Sequence, residues 1–492
     1  MSSQRINRKL SRAVPWAIAE SLFSLGHGVL SIVVIGMLVS PDELGLAGAA
    51  LATAAIIELM FSGGMQDTVI RTRSSDTTST DTAFTISIGW ALAGVVACFL
   101  AALVVAHIYG NPLLFPMIVF ASLIGAANTL SAVPTAMLIR KMRAAALTRR
   151  MMLGKVAGIV ALSLFALTGY GAWAVVLGSI VAALTMAISV MISAARLPRP
   201  RFRRTKAREF FVFGFAVGLE NLIWGLTTRS FILLFGFFHG VNALGYFQFA
   251  MKLVDETANL IQTAANRFGL AYFSAIRRDA IELLSSFAIG TKLVCSVAFP
   301  VLLMLAILGS DVVSGLFPAQ WDAAGPYIQI VAIGWLFVFP RLFITPIMRS
   351  AGYQKRLVSN ASVTLIVALA MLTALSWLDP LWGAVAWAAR QAYSLGWFVL
   401  QVFWTEGFSP RKQAANLIRI LIAAAIFSGI LLGAPQLVPW IDPNLLFTAL
   451  IAIMGLILYI IFLLCLEPQI RSLVLPKNIA DKVSFKKRWR KK

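Results

Sequence analysis

The sequence is poor in charged residues. Only 13% of its 492 residues are Asp, Glu, Lys or Arg, against about 25% in a typical soluble protein. Hydrophobic residues make up 59% and form long continuous runs, unlike the alternating segments of roughly 10 residues that build a membrane β-barrel. Each run can supply the roughly 20 apolar residues that a helix needs to cross a bilayer. The composition therefore predicts an all-α, polytopic membrane protein and excludes an ordinary soluble fold.

The sequence also lacks the patterns of common catalytic sites. Its three cysteines, Cys98, Cys295 and Cys465, are far apart within apolar runs, so they suggest neither a metal site nor a disulfide framework. No G-x-x-x-x-G-K-[ST], H-E-x-x-H or G-x-S-x-G motif occurs. We therefore expect no cofactor and no metal, and the sequence favours a transporter over an enzyme.

Apolar runs and polar breaks divide the chain into about fourteen predicted transmembrane spans. They cover residues 15–40, 43–63, 83–107, 113–139, 151–169, 172–195, 211–238, 243–273, 285–308, 325–348, 357–377, 381–404, 416–438 and 445–466. Lys and Arg occupy the even-numbered gaps, whereas the odd-numbered gaps contain acids such as Asp311 and Asp379 and no Lys or Arg. Because basic loops stay cytoplasmic, both ends of the chain should be cytoplasmic.

The formal net charge of +22 follows from this distribution. We interpret it as a topology signal that also attracts anionic membrane lipids, and we expect no nucleic-acid partner.

A shift of 200 residues aligns the first two spans with the seventh and eighth. Leu44-Gly45 then coincides with Leu244-Gly245, and Glu20 with Glu220. Parallel internal repeats of this kind build many transporters.

We predict two pseudo-symmetric six-helix lobes and two extra C-terminal helices. The predicted parts are a lobe of residues 1–195, a basic cytoplasmic linker 196–210, a lobe 211–404, helices 13 and 14 within 405–466, and a basic cytoplasmic tail 467–492.

Polar side chains inside the eighth span indicate a water-filled cavity, because such groups are costly in lipid. Lys252, Asp255, Glu256 and Asn259 recur at steps of three and four, which places them on one helix face. Lys252 can pair with Asp255 and Glu256 in the next turn. A buried pair that only fixes packing is the alternative.

Further candidates for the cavity come from other spans. They are Glu20, Glu58, Glu220, Arg229, Arg341 and Arg390. Arginine suits phosphate, since its planar fork matches phosphate oxygens. Arg341 and Arg390 could instead extend to the membrane surface, and we expect Lys292 to do so. Pro340 and Pro346 should kink the tenth span.

Several segments resemble motifs of a known family. Residues 38–46 (LVSPDELGL) resemble the turn after that family's first helix, and residues 61–71 (FSGGMQDTVIR) resemble a stretch after its second. Residues 228–232 with 244–250, and residues 316–326, are similar to its second-lobe motifs. In these segments the chain resembles the polysaccharide transporters of the multidrug/oligosaccharidyl-lipid/polysaccharide superfamily, and the resemblance covers nearly the whole chain, including the layout of fourteen spans.

This resemblance implies a Wzx-type flippase in the bacterial inner membrane. Its substrate would be an undecaprenyl-pyrophosphate-linked oligosaccharide, moved to the outer leaflet by alternating access for exopolysaccharide or lipopolysaccharide O-antigen synthesis. The implied partners are membrane lipids, a coupling cation (H⁺ or Na⁺) and a polysaccharide polymerase or export machinery. The alternatives are an ion-coupled exporter of organic cations in the same superfamily and a membrane-embedded glycosyl-lipid enzyme.

Overall fold

The chain is built from α-helices. A computed structural model describes residues 3–62, 65–71, 77–194, 196, 198–275, 280–345, 348, 353–403, 410–437, 445–467 and 470. In chain order the helices are α1 (Ser3–Leu38), α2 (Pro41–Ser62), α3 (Met65–Arg71), α4 (Thr77–Ile108), α5 (Leu114–Arg140), α6 (Ala144–Leu167), α7 (Ala172–Ser193), α8 (Arg204–Ala275), α9 (Ala280–Leu316), α10 (Gly325–Leu336), α11 (Gln354–Ala374), α12 (Pro380–Phe403), α13 (Pro410–Leu437) and α14 (Leu445–Leu466). These residues include no strand, so the predicted all-α class is confirmed.

The described helices fit a multi-pass membrane protein. Ten segments are long and apolar enough to cross a membrane, and two shorter apolar segments lie in α13 and α14. Helix α8 has 72 residues but is interrupted at Gly240, where φ is 84° and ψ is 167°. A straight helix of that length, at about 1.5 Å per residue, would far exceed one bilayer. The break therefore separates the predicted seventh and eighth spans; the helices are consistent with fourteen spans, a number that stays a prediction.

The predicted tenth span is not one continuous helix. Helix α10 ends at Leu336, and a short 3₁₀ helix, Phe339–Arg341, follows it. This second helix contains Pro340, which cannot donate a backbone hydrogen bond and therefore interrupts an α-helix. The kink predicted at Pro340 is confirmed, and Pro346 lies outside the described residues.

Two compact units make up the chain. Unit 1 contains Met1–Phe249 and Ala361–Gly383, and unit 2 contains Ala250–Asn360 and Ala384–Lys492. Within unit 1, α6 packs along α7 and α4 packs along α5; within unit 2, α9 packs against α10, α13 and α14. The lobe boundaries at residues 195, 210 and 404 stay predictions.

Helix α2 begins with a reciprocal cap. The backbone N–H of Ser40 donates to Oε2 of Glu43 at 2.8 Å, and the N–H of Glu43 donates to Oγ of Ser40 at 3.4 Å. Pro41 occupies the first helical position, where its missing N–H costs nothing. The Ser-Pro-Asp-Glu sequence therefore fixes the start of α2.

The predicted internal repeat corresponds to a reciprocal contact within unit 1. A methyl group on Gly45 of α2 would overlap the carbonyl oxygen of Val241, and one on Gly245 would overlap the carbonyl oxygen of Pro41. Positions 41 and 241, like 45 and 245, are related by the same shift of 200. Two similar segments related by a twofold axis produce this reciprocity, so the contact supports the repeat.

Two further features of this region obey the same shift. A methyl group on Gly48 would overlap the side-chain amide of Gln248, so position 48 meets its own counterpart, as expected near a twofold axis. The helical path is also broken at counterpart positions, Ser40 and Gly240. Small residues at the contact let the two backbones approach closely, as in other membrane helix pairs.

Lys292 does not extend to the membrane surface. Its Nζ lies 2.9 Å from Oε1 of Glu467, and the two side chains are 7% and 1% exposed. Nη1 of Arg419 lies 3.7 Å from the other carboxylate oxygen of Glu467. These ion pairs connect α9 and α13 to the end of α14. The expectation that Lys292 snorkels is therefore wrong, because it left out Glu467, which follows the last apolar run.

Replacing Gly45 with alanine should destabilise the protein, because the methyl group would overlap a backbone carbonyl. We expect the free energy of unfolding to fall by about 1–3 kcal/mol, a cost typical of overpacking. Thermal unfolding in detergent measures it. Gly89→Ala is the matched control, since a methyl group there meets no atom within 4 Å and alanine favours a helix. Equal midpoints for the two variants would contradict the close contact.

Opposite ends of α11 should face opposite sides of the membrane. In a variant without Cys98, Cys295 and Cys465, we expect Asp379→Cys to react with an impermeant maleimide in intact cells. Lys355→Cys should react only after permeabilisation, because basic gaps stay cytoplasmic. Both positions are exposed. The reverse labelling pattern would refute the predicted orientation.

Candidate functional site

Charged side chains inside the helices form one cluster in each unit. In unit 1 the cluster is centred on Glu58 of α2. Its Oε1 accepts a hydrogen bond from Nδ2 of Asn128 in α5 at 3.0 Å. Arg229 of α8 is close enough for its guanidinium to attract the Glu58 carboxylate. The structure therefore brings together two predicted residues, Glu58 and Arg229.

The surroundings of Glu58 explain its position. Gly125 lies one turn before Asn128, and a methyl group there would be 3.2 Å from Cβ of Glu58. The absence of a side chain at Gly125 lets α2 and α5 approach closely. Asn128 was not identified as a site residue from the sequence. The signal that could have identified it is a side-chain amide within an otherwise apolar predicted span. Arg229 is exposed, so a ligand can reach its guanidinium.

Glu20 of α1 makes contacts with α6. It accepts a hydrogen bond from Oγ1 of Thr148 at 3.1 Å. One turn later, Oγ of Ser24 accepts a hydrogen bond from Nζ of Lys155 at 3.2 Å. Polar groups therefore line the packed α1–α6 interface. The side chain of Glu220, the predicted counterpart of Glu20, lies outside the described residues.

The cluster in unit 2 is centred on Asp255 of α8. Nε1 of Trp335, in α10, donates a hydrogen bond to Oδ1 of Asp255 at 2.8 Å. Arg390 of α12 attracts this carboxylate, and the neighbouring Glu256 repels it. Asp255 therefore links three helical segments, α8, α10 and α12.

Arg390 is a buried cation. It is 2% exposed, and its guanidinium lies 3.5 Å from the ring centroid of Trp387. Such a cation–π contact stabilises a charge removed from water. Among the described residues, Nε and Nη1 of Arg390 have no hydrogen-bond partner. The guanidinium therefore does not snorkel to the surface, and it retains donors for a ligand.

Arg341 lies beside Arg390. Its Nη2 donates a hydrogen bond to Oε1 of Gln391 at 2.6 Å, and its guanidinium is 5.7 Å from the ring centroid of Phe398. The two guanidinium groups repel each other. With Asp255 as the balancing carboxylate, the three side chains carry a net positive charge, which attracts an anion.

The remaining predicted residues belong to the same part of α8 as Asp255. Lys252 and Glu256 are half-buried, and Asn259 is exposed. The pairing of Lys252 with Asp255 and Glu256, and the cavity wall that the stripe would form, stay predictions.

Comparison with known proteins identifies the family. A model of the family described as polysaccharide biosynthesis protein matches residues 34–326. The chain belongs to this family. ExoT of Rhizobium meliloti (strain 1021), a succinoglycan biosynthesis transport protein, is 19% identical over 348 residues, which are 70% of each chain. TuaB of Bacillus subtilis (strain 168), a teichuronic acid biosynthesis protein, is 26% identical over 126 residues, which are 26% of each chain.

Solved structures show the fold of this polysaccharide biosynthesis family member. The inward closed lipid II flippase MurJ aligns with a TM-score of 0.77 at 14% identity, over 91% of this chain and 98% of MurJ. An inward-facing multidrug transporter of the MATE family, in the MOP superfamily, aligns with a TM-score of 0.60 at 12% identity, over 78% of this chain and 98% of its own. The predicted family and the predicted transporter fold are confirmed. ExoT and MurJ are a transport protein and a flippase rather than enzymes.

Removing one charge of the Asp255–Arg390 pair should cost almost as much stability as removing both. We expect Arg390→Met or Asp255→Asn alone to lower the free energy of unfolding by about 1–3 kcal/mol, because a buried charge loses its partner. The double variant should lose less than the sum of the two. Thermal unfolding in detergent measures these costs, with Asn259→Ala as the exposed control on α8. Strictly additive losses would contradict the interaction.

Proposed function

We propose that this protein is a flippase for undecaprenyl-pyrophosphate-linked oligosaccharide repeat units. It would move them across the bacterial inner membrane for exopolysaccharide or lipopolysaccharide O-antigen synthesis. The family match over residues 34–326 carries this proposal. The transport role in the name of ExoT and the fold shared with the lipid II flippase MurJ support it.

The proposed substrate combines a pyrophosphate, sugars and a long prenyl chain. Its charged part needs cations within the membrane, and guanidinium groups bind phosphate oxygens in pairs. Arg229 is the first candidate, because it is exposed and is balanced by Glu58. An incoming pyrophosphate would compete with Glu58 for this guanidinium. Arg341 and Arg390 provide a second positive site in unit 2.

The carboxylates have different roles in this proposal. Glu20, Glu220, Asp255 and Glu256 would bind sugar hydroxyls or carry the coupling cation, H⁺ or Na⁺, while Lys252 and Asn259 would donate hydrogen bonds to sugars. A charged substrate crossing the membrane needs such groups, because lipid solvates neither charges nor hydroxyls. The polysaccharide polymerase or export machinery would accept the product at the outer leaflet.

Alternating access requires a contact that opens on one side. Ser40 and Gly240 fall in or beside the first and seventh gaps, which the charge pattern predicts to lie outside the cytoplasm. We infer that the contact between Gly45 and Gly245 closes this outer side and separates when the transporter opens outward. Close backbone packing at small residues suits an interface that separates as rigid bodies.

The principal rival is an exporter of organic cations, since the MATE fold is also similar. Such a site needs acidic groups in excess of basic ones. Instead, in unit 2 Arg390 interacts with a second guanidinium, that of Arg341, and with one aspartate, Asp255, an arrangement that repels a cationic drug. The cluster therefore favours an anionic substrate.

Replacing Arg229 with alanine should abolish polymer export while the protein stays folded. We expect transfer of a labelled lipid-linked oligosaccharide in proteoliposomes to fall roughly 10- to 100-fold, the value of charge-assisted hydrogen bonds. Arg229→Lys keeps the charge without the planar fork and should retain part of the activity.

The control for this variant is Arg204→Ala, which removes a charge from an exposed position at the start of α8. Its transfer rate should match that of the unchanged protein. An Arg229→Ala variant with an unchanged rate would refute the role of Arg229. Transport of a labelled organic cation in place of the oligosaccharide would refute the proposed function.

A further inference from the structure

A cavity of about 720 Å³ opens at the turn between α5 and α6 in unit 1. Its walls are Trp16 of α1, residues 141–143 of the turn, residues 144–146 and Arg149 of α6, and residues 192–193 at the end of α7. None of these residues belongs to the charged clusters around Glu58 and Asp255. None of them is a residue that we assign to transport; Glu20 lies one turn after Trp16 in α1.

The cavity wall is positively charged. Lys141, Arg143 and Arg149 line it, and its described lining residues include no Asp or Glu. Nη1 of Arg143 donates a hydrogen bond to the carbonyl oxygen of Ser193 at 3.3 Å, and Nε of Arg149 donates one to the carbonyl oxygen of Ala145 at 3.3 Å. These backbone contacts hold both guanidinium groups at the wall. Three cations around one cavity favour an anionic ligand.

The start of α6 adds to this positive field. The helix begins at Ala144, and its N-cap residue, Arg143, makes no side-chain capping hydrogen bond. The first N–H groups of a helix lack intrahelical acceptors, and the helix dipole makes that end positive. Ala144 and Ala145 of this first turn line the cavity, so the helix end and the three cations act on the same space.

Three lining residues of the cavity are apolar and exposed. Trp16, Met142 and Ile192 are 37%, 51% and 80% exposed. Tryptophan is typical of the membrane–water interface, and exposed apolar residues beside basic ones match a ligand with an acyl chain and an anionic head. A free inorganic anion would gain nothing from these apolar side chains. The apolar and basic lining together favour a lipid.

We propose that this cavity binds the phosphate headgroup of an anionic membrane phospholipid. The α5–α6 turn lies in one basic gap that the charge pattern predicts to be cytoplasmic, and the end of α7 borders another. Anionic lipids are abundant in the cytoplasmic leaflet. Arg5, Arg8, Lys9 and Arg12 precede Trp16 in α1, with no acidic residue before Glu20.

Native mass spectrometry of the full-length protein in detergent tests this site with phosphatidylglycerol and phosphatidylcholine as probes. The unchanged protein should bind one phosphatidylglycerol saturably and prefer it at least roughly tenfold over phosphatidylcholine. The variant Lys141→Gln/Arg143→Gln/Arg149→Gln should bind phosphatidylglycerol roughly 100-fold more weakly, since each basic residue near a membrane surface contributes about a factor of five.

Two further variants separate a built site from general surface charge. Arg201→Gln/Arg203→Gln/Arg204→Gln removes the same charge from exposed positions and should keep the affinity. Ala145→Trp fills the cavity without changing its charge and should lose the bound lipid. Thermal unfolding in detergent confirms that each variant is folded.

Four results would overturn the proposal. The first three are equal binding of the two lipids, equal loss of affinity in the two triple variants, and retention of the lipid by Ala145→Trp. Displacement of phosphatidylglycerol by millimolar inorganic phosphate would also overturn it, because the site would then recognise a free anion. Lipid binding is measured without transport, so a failure of the flippase proposal leaves this test unaffected.

Discussion

The close approach of α2 to the second half of α8 is the constraint on which unit 1 depends. Gly45 faces the carbonyl oxygen of Val241, and Gly245 faces that of Pro41, so neither position accepts even a methyl group. The cap at Ser40 and the break at Gly240 direct the helices into this contact. Small residues let the two backbones pack tightly at this interface. Such an interface is suited to separating and re-forming as a whole.

The second constraint is the cost of charge inside a membrane. Charged side chains of the two clusters have specific partners: Glu58 has Asn128, Asp255 has Trp335, and Arg390 has the face of Trp387. These contacts reduce the cost of burial but leave donors on Arg390 uncommitted. Charges that are only partly compensated are a feature of sites that await a ligand.

Much of the fold was predictable from the sequence, because apolar runs and basic gaps are local signals. The repeat was visible because a shift of 200 residues aligns Gly45 with Gly245. The partners of the charged side chains were not predictable. Asn128, Trp335 and Glu467 lie far along the chain from Glu58, Asp255 and Lys292, and their meeting depends on how each helix is rotated. The wrong prediction for Lys292 has this origin, since its carboxylate partner comes 175 residues later.

The distance between positions 42 and 242 tests most directly whether the repeat contact opens. Both residues, Asp42 and Asn242, are exposed and are counterparts under the shift of 200. Spin labels on Asp42→Cys/Asn242→Cys, in a variant without the three native cysteines, would be measured by pulsed electron paramagnetic resonance in nanodiscs. We predict a short distance in the resting protein and a second, longer population when lipid-linked oligosaccharide is added. One unchanged short distance under both conditions, in a variant that still transports, would contradict a gate at Gly45 and Gly245.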